Sequence, residues 1–370
     1  MTTRCYHLIT NPGLEDAVVS ELLRHPEAAL FSYPTTPLPG VAEASGAGTS
    51  RDAEIAVLAS LRTIYHAVEI RGEHTLSQEA MSSSTRFLEE ITNIVTAARW
   101  PELSAGQSLA VRCQRTGTHP LRSPDIEREV GSVLVSAYAA PVNLGDPEIT
   151  IRVDLTERSL SVGVLVTPAE MDRRYHWIYR PRVTLSPVVA AALLHWDHRS
   201  ETPTQTGAIL DPFCGSGTIP LEAAAQQRLG LLPLVPVFGG DNNCEAIAGA
   251  RANLWWNNLF GEAALRWTDS TSNDQFSRAW GDRGITRIIA NPPFGVRLGK
   301  HIHFDRFYDQ FLSAAAAVLP REGSITMLSS RRRGALNRVL QHQQRWSVPR
   351  VQMIQLGGVH VGVFQIYRRR

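Results

Sequence analysis

The sequence predicts a chain of two or three domains, α+β in its front half and α/β in its second half. Its length of 370 residues exceeds one ordinary domain. Short apolar runs that end at an acid or an amide recur between helical stretches over residues 185–370, which is typical of an α/β sheet. Residues 1–71 combine a strand and a helix with a second helix and strand, the pattern of a small ferredoxin-like unit.

Composition limits the classes of protein that fit. The hydrophobic fraction of 43% is ordinary for a globular chain, no apolar run is long enough to span a membrane, and the first residues lack a signal-peptide core. The net charge of +2 is a weak nucleic-acid signal, and because Lys300 is the only lysine, arginine counts carry little weight. Four cysteines without CxxC spacing argue against a metal site or disulfides and favour a reducing cytoplasm: Cys5, Cys113, Cys214 and Cys244.

The first 71 residues predict a strand, a helix, a loop, a helix and a strand. The first strand begins at residue 5, and apolar residues recur at helical spacing over 16–24. Residues 34–50 are rich in Pro, Gly, Ala, Ser and Thr, so they predict a mobile loop. A helix over 53–61 and a strand over 63–71 complete the unit.

Residues 72–167 predict a second unit. A helix over 82–98 and a strand over 108–113 precede a helix that opens at Ser123-Pro124, a good capping pair. Two strands over 147–155 and 159–167 follow. Three arginines of this unit are candidates for phosphate contacts, although a solvated surface role is the more common one for any single arginine: Arg112, Arg115 and Arg122.

Residues 168–184 predict a linker that carries a basic and aromatic cluster. Arg173 and Arg174 begin it, and its aromatic residues are Tyr175, Trp177 and Tyr179. Such a pattern suits either contact with a nucleic-acid strand or packing between domains, and the sequence leaves both open. Beyond the linker, Ser186 is a candidate N-cap, and Pro187 suits the first turn of a helix.

A glycine-rich turn between a strand and a helix is the first sign of a ligand site. Gly215 and Gly217 let the backbone pass close to a ligand after a strand that ends at Asp211. Pro220 stands where a dinucleotide fingerprint needs its third glycine, and the lysine of a triphosphate-binding loop is missing. The other residues expected to line the turn are Phe213, Cys214, Ser216 and Thr218.

The tetrapeptide Asn291-Pro292-Pro293-Phe294 is the stretch on which the functional argument depends. It follows a short apolar run, and its two prolines stiffen the exit from that predicted strand. The Asn291 side-chain oxygen and the Pro292 carbonyl are two acceptors, and Phe294 offers a flat ring. This set suits a planar base with an exocyclic amine, although a strand followed by a plain Pro-Pro loop is the simpler interpretation.

Together these two segments resemble the class I S-adenosylmethionine-dependent methyltransferases, and the Asn-Pro-Pro-Phe form is similar to that of their amine-methylating branch. The resemblance implies a Rossmann-fold methyltransferase domain over residues 185–370, with a seven-stranded, mostly parallel sheet and helices on both faces. It implies S-adenosylmethionine as cofactor and the tetrapeptide 291–294 as the catalytic group. Asp211 would orient the turn or meet the methionine amine, and the helix at Pro187 would close over the methionine part.

Two further strand ends carry acids that match this resemblance. Asp241 ends the next apolar run, and its carboxylate could accept both ribose hydroxyls. Asn242 is a neighbouring candidate beside Asp241. Asp269 follows the run after that and could accept the adenine amino group, with Ser270 beside it. The order of these acids ahead of Asn291 supports the assignment.

Residues 72–167 resemble the THUMP domain, an RNA-binding module of tRNA- and rRNA-modifying enzymes. The matching residues are Val111, Arg112, Arg115, Gly117, His119, Ser123 and Gly131. The resemblance implies that this domain, with the ferredoxin-like unit, binds the 3′ acceptor end of tRNA. Arg297 follows the tetrapeptide in a predicted loop, where it could equally bind a target phosphate or hold the loop. Arg331 and Arg332 come just after a later predicted strand, on the substrate side that an α/β sheet predicts.

Over the whole chain, the order of domains resembles the tRNA guanine-N2 methyltransferases that act at position 6 of the acceptor stem. We therefore expect in-line methyl transfer to the N2 amine of guanosine, without a metal and mainly through positioning. We also expect a cytoplasmic monomer. Methylation of a guanosine in 23S rRNA or elsewhere in tRNA stays open, as does DNA adenine methylation. A non-catalytic RNA-binding protein is the alternative of a different class.

Overall fold

The computed structural model describes residues 3–48, 50–103, 106–196, 207–293, 302–330 and 333–369. Backbone contacts divide the chain into two compact units. The first unit is formed by Met1–Ile9, Ala29–Ser60 and Tyr65–Met171. The second is formed by Thr10–Ala28, Leu61–Ile64 and Asp172–Arg370.

All the strands before residue 170 belong to the first unit. They are β1 (Cys5–Ile9), β2 (Phe31–Leu38), β3 (Val41–Gly46), β4 (His66–Thr75), β5 (Leu109–Thr116), β6 (Ile149–Thr156) and β7 (Ser159–Leu165). The helices of the same stretch are α1 (Glu15–Arg24), α2 (Arg51–Ser60), α3 (Ser84–Ala97) and α4 (Ser123–Tyr138), of which α1 belongs to the second unit.

The seven strands of the first unit form one sheet in the order β2-β3-β1-β4-β7-β6-β5. Its neighbours are antiparallel except for β5 and β6, which are parallel. The first four strands, with a helix after β1 and another before β4, have the predicted ferredoxin-like order. Strands from residues 1–71 and 72–167 therefore share a sheet, and the boundary placed at residue 71 falls within β4. The domain boundaries themselves stay predictions.

The mobile loop predicted over residues 34–50 is wrong where the structure describes it, because most of β2 and all of β3 lie there. β2 is the edge of the sheet, where a missing N–H is tolerated, and its register shifts at Pro34 and Pro37. Gly40, with a φ of 83°, turns the chain into β3. The Pro- and Gly-rich composition hid an alternation that buries Ala42, Ala44 and Gly46.

One face of this sheet packs against α3 and α4. The buried apolar residues of this core include Phe87, Ile91, Val95, Ile126, Val130, Leu134, Leu160, Val162 and Val164. Tyr6 lies on the same face and donates a hydrogen bond of 2.7 Å to Glu54 of α2. Since side chains alternate along a strand, His7 points to the opposite face, where the register places Glu43 of β3 beside it.

The strands of the second unit are β8 (Ala208–Asp211), β9 (Val237–Asp241), β10 (Ala263–Trp267), β11 (Ile285–Ala290), β12 (Ser324–Ser329), β13 (Trp346–Leu356) and β14 (Val359–Arg368). Its further helices are α5 (Pro187–His195), α6 (Thr218–Arg228), α7 (Cys244–Trp256), α8 (Asn273–Trp280), α9 (Phe304–Val318) and α10 (Arg333–His342). Within the described ranges, no helix has the length and apolar character that crossing a membrane requires.

These strands form a second sheet in the order β10-β9-β8-β11-β12-β14-β13. The first five are parallel neighbours, and β14 runs antiparallel between β12 and β13. The predicted seven-stranded, mostly parallel sheet is therefore confirmed. The strand order reverses direction between β8 and β11, and in open α/β sheets ligands bind outside the carboxyl ends of the strands at such a point.

Candidate active site

The carboxyl ends of four parallel strands bring the predicted acids and the predicted amide to one edge of the second sheet. β8 ends at Asp211 and β9 ends at Asp241. Asp269 comes two residues after β10, and Asn291 directly follows β11. Because the four strands are parallel neighbours, these side chains lie at the same edge, next to the reversal of strand order.

The glycine turn joins β8 to α6 through two residues with left-handed backbone. Gly215 has a φ of 50° and Gly217 a φ of 82°, a region in which side chains other than glycine are strained. A Cβ on Gly217 would also lie 3.0 Å from the Ala250 Cβ of α7. The Cys214 N–H donates to the Gly240 carbonyl at 2.9 Å, which fastens the turn to β9.

Asp241 fastens the same turn through its carboxylate. Oδ2 accepts the Gly215 N–H at 2.9 Å, and Oδ1 accepts the Asn243 N–H at 2.9 Å. An ionised carboxylate has about four acceptor positions, so both oxygens keep room for donors such as hydroxyls. Asn242 takes part through its main chain, since its carbonyl accepts the Trp267 indole N–H at 2.9 Å.

Asp211 is buried, and its Oδ1 accepts the Phe213 N–H at 3.0 Å. Burial raises the pKa of the Asp211 carboxyl well above its ordinary value; the Phe213 hydrogen bond opposes this effect, and Asp241 adds to it. Burial, followed by Asp211 and Asp241, also raises the pKa of the Cys214 thiol. The thiol is therefore neutral and is no activated nucleophile, whereas a cation beside these acids would be stabilised.

Three other predicted residues of the turn serve its packing. The Phe213 ring lies 5.6 Å from the Phe307 ring and 5.1 Å from the Phe311 ring of α9, between centroids. The hydroxyls of Ser216 and Thr218 lie 3.3 Å apart, and both side chains are buried. These contacts give the turn a fixed shape before any ligand is considered.

At the third strand end, Asp269 forms a local turn and Ser270 links the strand end to the glycine turn. Asp269 Oδ1 accepts hydrogen bonds from the N–H and the hydroxyl of Thr271, at 2.9 and 2.7 Å. The buried Ser270 hydroxyl donates to the Pro212 carbonyl at 2.7 Å, which connects this end to the glycine turn. Ser270 therefore positions the turn.

Asn291 stands out because one of its polar atoms lacks a partner among the described residues. Its Oδ1 is buried, and no other described residue gives it a hydrogen bond. A buried acceptor without a partner costs about 1–3 kcal/mol, so such an atom at a ligand-binding edge indicates a missing donor. Pro292 is buried and Pro293 half-buried beside it, whereas Phe294 lies outside the described residues.

The start of α5 differs from the prediction in one detail. Pro187 occupies the first turn and is buried, and Ser186 has the N-cap position, as expected. However, the Ser186 side chain makes no capping hydrogen bond, and its buried Oγ has no partner among the residues described. The predicted cap is therefore present in backbone geometry only.

Sequence reasoning missed Asn253, which lies in α7 and is fully buried. Its Oδ1 accepts the N–H groups of Ile178 and Tyr179 at 2.8 and 3.0 Å. Its Nδ2 donates to the Tyr179 carbonyl at 2.8 Å and to the Ser216 carbonyl at 2.9 Å. One side chain thus joins the linker to the glycine turn. The available signal was a polar, turn-favouring residue in the middle of an apolar helix.

Tyr179 is a linker residue that Asn253 holds against α7. A Cβ added to Gly249 of α7 would lie 2.2 Å from its ring, so the ring packs directly on the helix backbone. Burial raises the pKa of the Tyr179 phenol, and Glu245 and Asp241 add to the effect. Of the two interpretations of the linker, packing is the one that Tyr179 shows.

Arg174, predicted to bind RNA, is half-buried in the second unit and paired with an acid. Its Nε lies 2.9 Å from Oε1 of Glu222, which is fully buried. Arg62 binds the other side of the same carboxylate at 3.0 Å and donates to the Tyr175 hydroxyl at 2.7 Å. In this position the Arg174 guanidinium helps to balance the charge of the buried Glu222 carboxylate.

The remaining predicted RNA-binding arginines differ in exposure. Arg112 and Arg115 are half-buried and donate to main-chain carbonyls, of Leu144 at 2.5 Å and of Leu121 at 2.6 Å. Arg122 and Arg173 are exposed. Arg297, Arg331 and Arg332 lie outside the described residues.

Two family models match the chain. The THUMP domain matches residues 85–165, and the RMKL-like methyltransferase domain matches residues 178–362. The tRNA (guanine(6)-N2)-methyltransferase of Thermus thermophilus is 34% identical over 358 residues, which cover 96% of this chain and 97% of the relative.

Solved structures agree with this match. TrmN from Thermus thermophilus has a TM-score of 0.74 at 30% identity, and the alignment covers 99% of this chain and 100% of that one. SMU.472 complexed with SAH has a TM-score of 0.73 at 18% identity, over 100% of this chain and 99% of that one, which bears on the fold alone. The family and the fold predicted from the sequence are confirmed. The chain belongs to the RMKL-like methyltransferase family, with a THUMP domain ahead of the methyltransferase domain, and is an S-adenosylmethionine-dependent RNA methyltransferase.

Proposed function

We propose that the chain methylates the exocyclic N2 amine of a guanosine in tRNA, at position 6 of the acceptor stem. The Thermus thermophilus relative, similar along nearly its whole length, is named for that activity. The structural observation that carries the proposal is the buried Asn291 Oδ1, which lacks a donor among the described residues. An exocyclic amine brings two N–H donors to this position.

The cofactor's place is proposed from the four strand ends. Gly215 and Gly217 permit close approach of a ligand, and Asp241 retains acceptor capacity for the two ribose hydroxyls. Asp211, buried with a raised pKa near a second acid, suits the methionine amine, which is a cation. Asp269 is proposed for the adenine amino group, and Pro187 lines the methionine side. S-adenosylmethionine supplies an electrophilic methyl group when it is bound.

The chain's own contribution is to hold the amine in line with that methyl group. Asn291 Oδ1 and the Pro292 carbonyl each accept one N–H of the amine, which directs the nitrogen lone pair out of the base plane. Phe294 is proposed as the platform for the unstacked base. Because such an amine is a weak base, positioning and exclusion of water supply most of the rate, and the proton leaves after transfer.

The first unit is proposed to bind the acceptor stem and 3′ end of the tRNA, as THUMP-containing enzymes do. Arg122 is exposed there and free to meet phosphate, and Arg173 is the exposed candidate in the linker. Arg112 and Arg115 would have to exchange their carbonyl partners for phosphate oxygens. We further propose that the protein acts as a cytoplasmic monomer.

The test is transfer of labelled methyl to an unmodified tRNA transcript, followed by nucleoside analysis. We expect N2-methylguanosine at position 6, and a loss of about 10²-fold or more in the Asn291→Ala variant, the scale for removing one positioned polar group. Asn273→Ala, an exposed asparagine of the same unit, is the matched control and should keep full activity.

Each other outcome has a defined meaning. Label found only in rRNA would support the proposed reaction but show that the substrate is rRNA. Label in tRNA at another guanosine would keep the reaction and move the position. Tight cofactor binding without transfer to any RNA would contradict the enzymatic proposal and support the non-catalytic RNA-binding alternative.

A further inference from the structure

A group of potential metal ligands lies on the face of the first unit's sheet that is opposite α3 and α4. Cys5 and His7 are two residues apart on β1, so their side chains share one face. The register places Glu43 of β3 directly opposite His7. The Cys5 thiol, the His7 ring and the Glu43 carboxylate each offer one donor atom within 4.8 Å of the others.

His7 points into this group with a buried nitrogen. Its side chain is 2% exposed, and its Nε2 lacks a well-aligned hydrogen bond within the part of the chain that the structure describes, although Glu73 is close enough to form an ion pair with it. Two carboxylates face that nitrogen: Glu73 Oε1 of β4 lies 3.3 Å away and Glu43 Oε2 lies 3.9 Å away. A buried ring nitrogen surrounded by acids and a thiol is a position that a cation would satisfy.

We propose that Cys5, His7 and Glu43 bind Zn²⁺, and that the Glu73 carboxylate, which lies beside His7 but outside this group of mutually close donors, moves in as the fourth ligand. Sulfur, imidazole nitrogen and carboxylate oxygen are the donors that zinc prefers, and four protein donors make a closed, structural site. Tetrahedral bonds of about 2.0–2.1 Å to nitrogen and oxygen place such donors about 3.3 Å apart, close to the observed His7–Glu73 separation. The proposal does not depend on the methyl-transfer function.

A site of this kind has no recognisable spacing along the sequence, such as CxxC. The proposed ligands come from three strands, β1, β3 and β4, that are far apart along the chain but adjacent in the sheet. A zinc ion there would tie β1 to both of its neighbours. It would therefore stabilise the first unit.

The experiment uses the full chain after removal of metal by a chelator and exchange into metal-free buffer. Zn²⁺ is titrated against a chromophoric chelator, and Co²⁺ is then added to report the ligand set. We expect one tight equivalent of zinc, and a cobalt spectrum with a thiolate charge-transfer band and the strong ligand-field bands of tetrahedral geometry.

Cys5→Ser should lose the charge-transfer band and weaken zinc binding at least tenfold. Cys113→Ser is the matched control, because it removes another half-buried thiol of the same unit and should leave both unchanged. His7→Gln should abolish the rise in melting temperature that zinc gives the wild type. Weak or substoichiometric binding that Cys5→Ser retains would show adventitious metal only and overturn the proposal, as would a wild type that binds none.

Discussion

Single side chains at the strand ends divide into those that hold the glycine turn and those left for a ligand. Asp211, Asp241 and Ser270 each bind the main chain of that turn. Asn291 differs, because its buried oxygen lacks a donor within the described part of the chain. The first group fixes the shape of the glycine turn, whereas Asn291 keeps an acceptor that no described residue uses.

Substitution of Asp211 is expected to raise folding stability, whereas most substitutions lower it. Asp211→Asn should stabilise the cofactor-free protein at neutral pH, by about 1 kcal/mol, while weakening cofactor binding. The folded-state pKa is raised, so the cost of the buried charge is fully present above that pKa and is relieved as the pH falls toward the unfolded value. The stability gain of Asp211→Asn over the wild type should therefore shrink as the pH falls. Denaturant unfolding at neutral and mildly acidic pH measures it, and a variant that is less stable at neutral pH contradicts it.

At the scale of elements, α7 is the part that connects the linker to the cofactor edge. Asn253 binds Ile178, Tyr179 and Ser216 through both ends of its amide. Asn257, one turn later, binds the N–H and carbonyl of His176 in the linker and also donates to the Asn253 carbonyl of its own helix, but it does not contact Ser216. Substituting each asparagine in turn therefore distinguishes the effect of holding the linker from the effect of holding the glycine turn.

Asn253→Ala should raise the KM for S-adenosylmethionine about tenfold or more, because the Ser216 carbonyl and the linker amides lose their partners. Asn257→Ala is the comparison, since it frees the linker at His176 and leaves Ser216 held. Steady-state kinetics and cofactor titration provide the measurement. Equal effects of the two substitutions would show that the linker alone matters.

Elements differ in how well local sequence predicts them. Strand ends with an acid after an apolar run, and the glycines with positive φ, are local signals, and β8, β9 and β11 were predicted from them. The edge strand β2 was missed because its prolines and register shifts conceal the alternation. The amphipathic helices α8 and α10 also passed unnoticed, since both are short and largely polar. The Asn253 contacts and the Cys5–His7–Glu43 group depend on tertiary neighbours, so spacing along the chain could not reveal them.

At the scale of the molecule, the two units carry buried groups that respond to acid in opposite directions. His66 lies in the first unit, and burial, reinforced by Arg152, lowers its pKa to about 3, with a hydrogen bond to the Ala169 backbone opposing the shift. Asp211 lies in the second unit, and its pKa is raised. Lowering the pH therefore penalises the first unit and relieves a cost in the second.

His66 predicts the acid response of the first unit. The pKa of His66 is about 3 in the folded protein, below the unfolded value of about 6.5. The stability that the buried neutral ring gives the folded state is therefore complete above pH 6.5 and is lost as the pH falls toward the folded pKa. One such group gives a slope of about 1.4 kcal/mol per pH unit. In His66→Gln this slope should disappear, so the stability difference from wild type should narrow in acid. Denaturant unfolding at several pH values tests this, and parallel curves would refute it.

The course of β4 also bears on how a chain of this kind can be inherited. β4 continues through residue 71 and pairs with β1 on one side and β7 on the other. A recombination event at that residue would give each product a broken strand and an open edge, which is prone to pairing with foreign chains. We therefore expect recombination to transfer the sequence up to β7 as one segment, with viable crossover points only after β7.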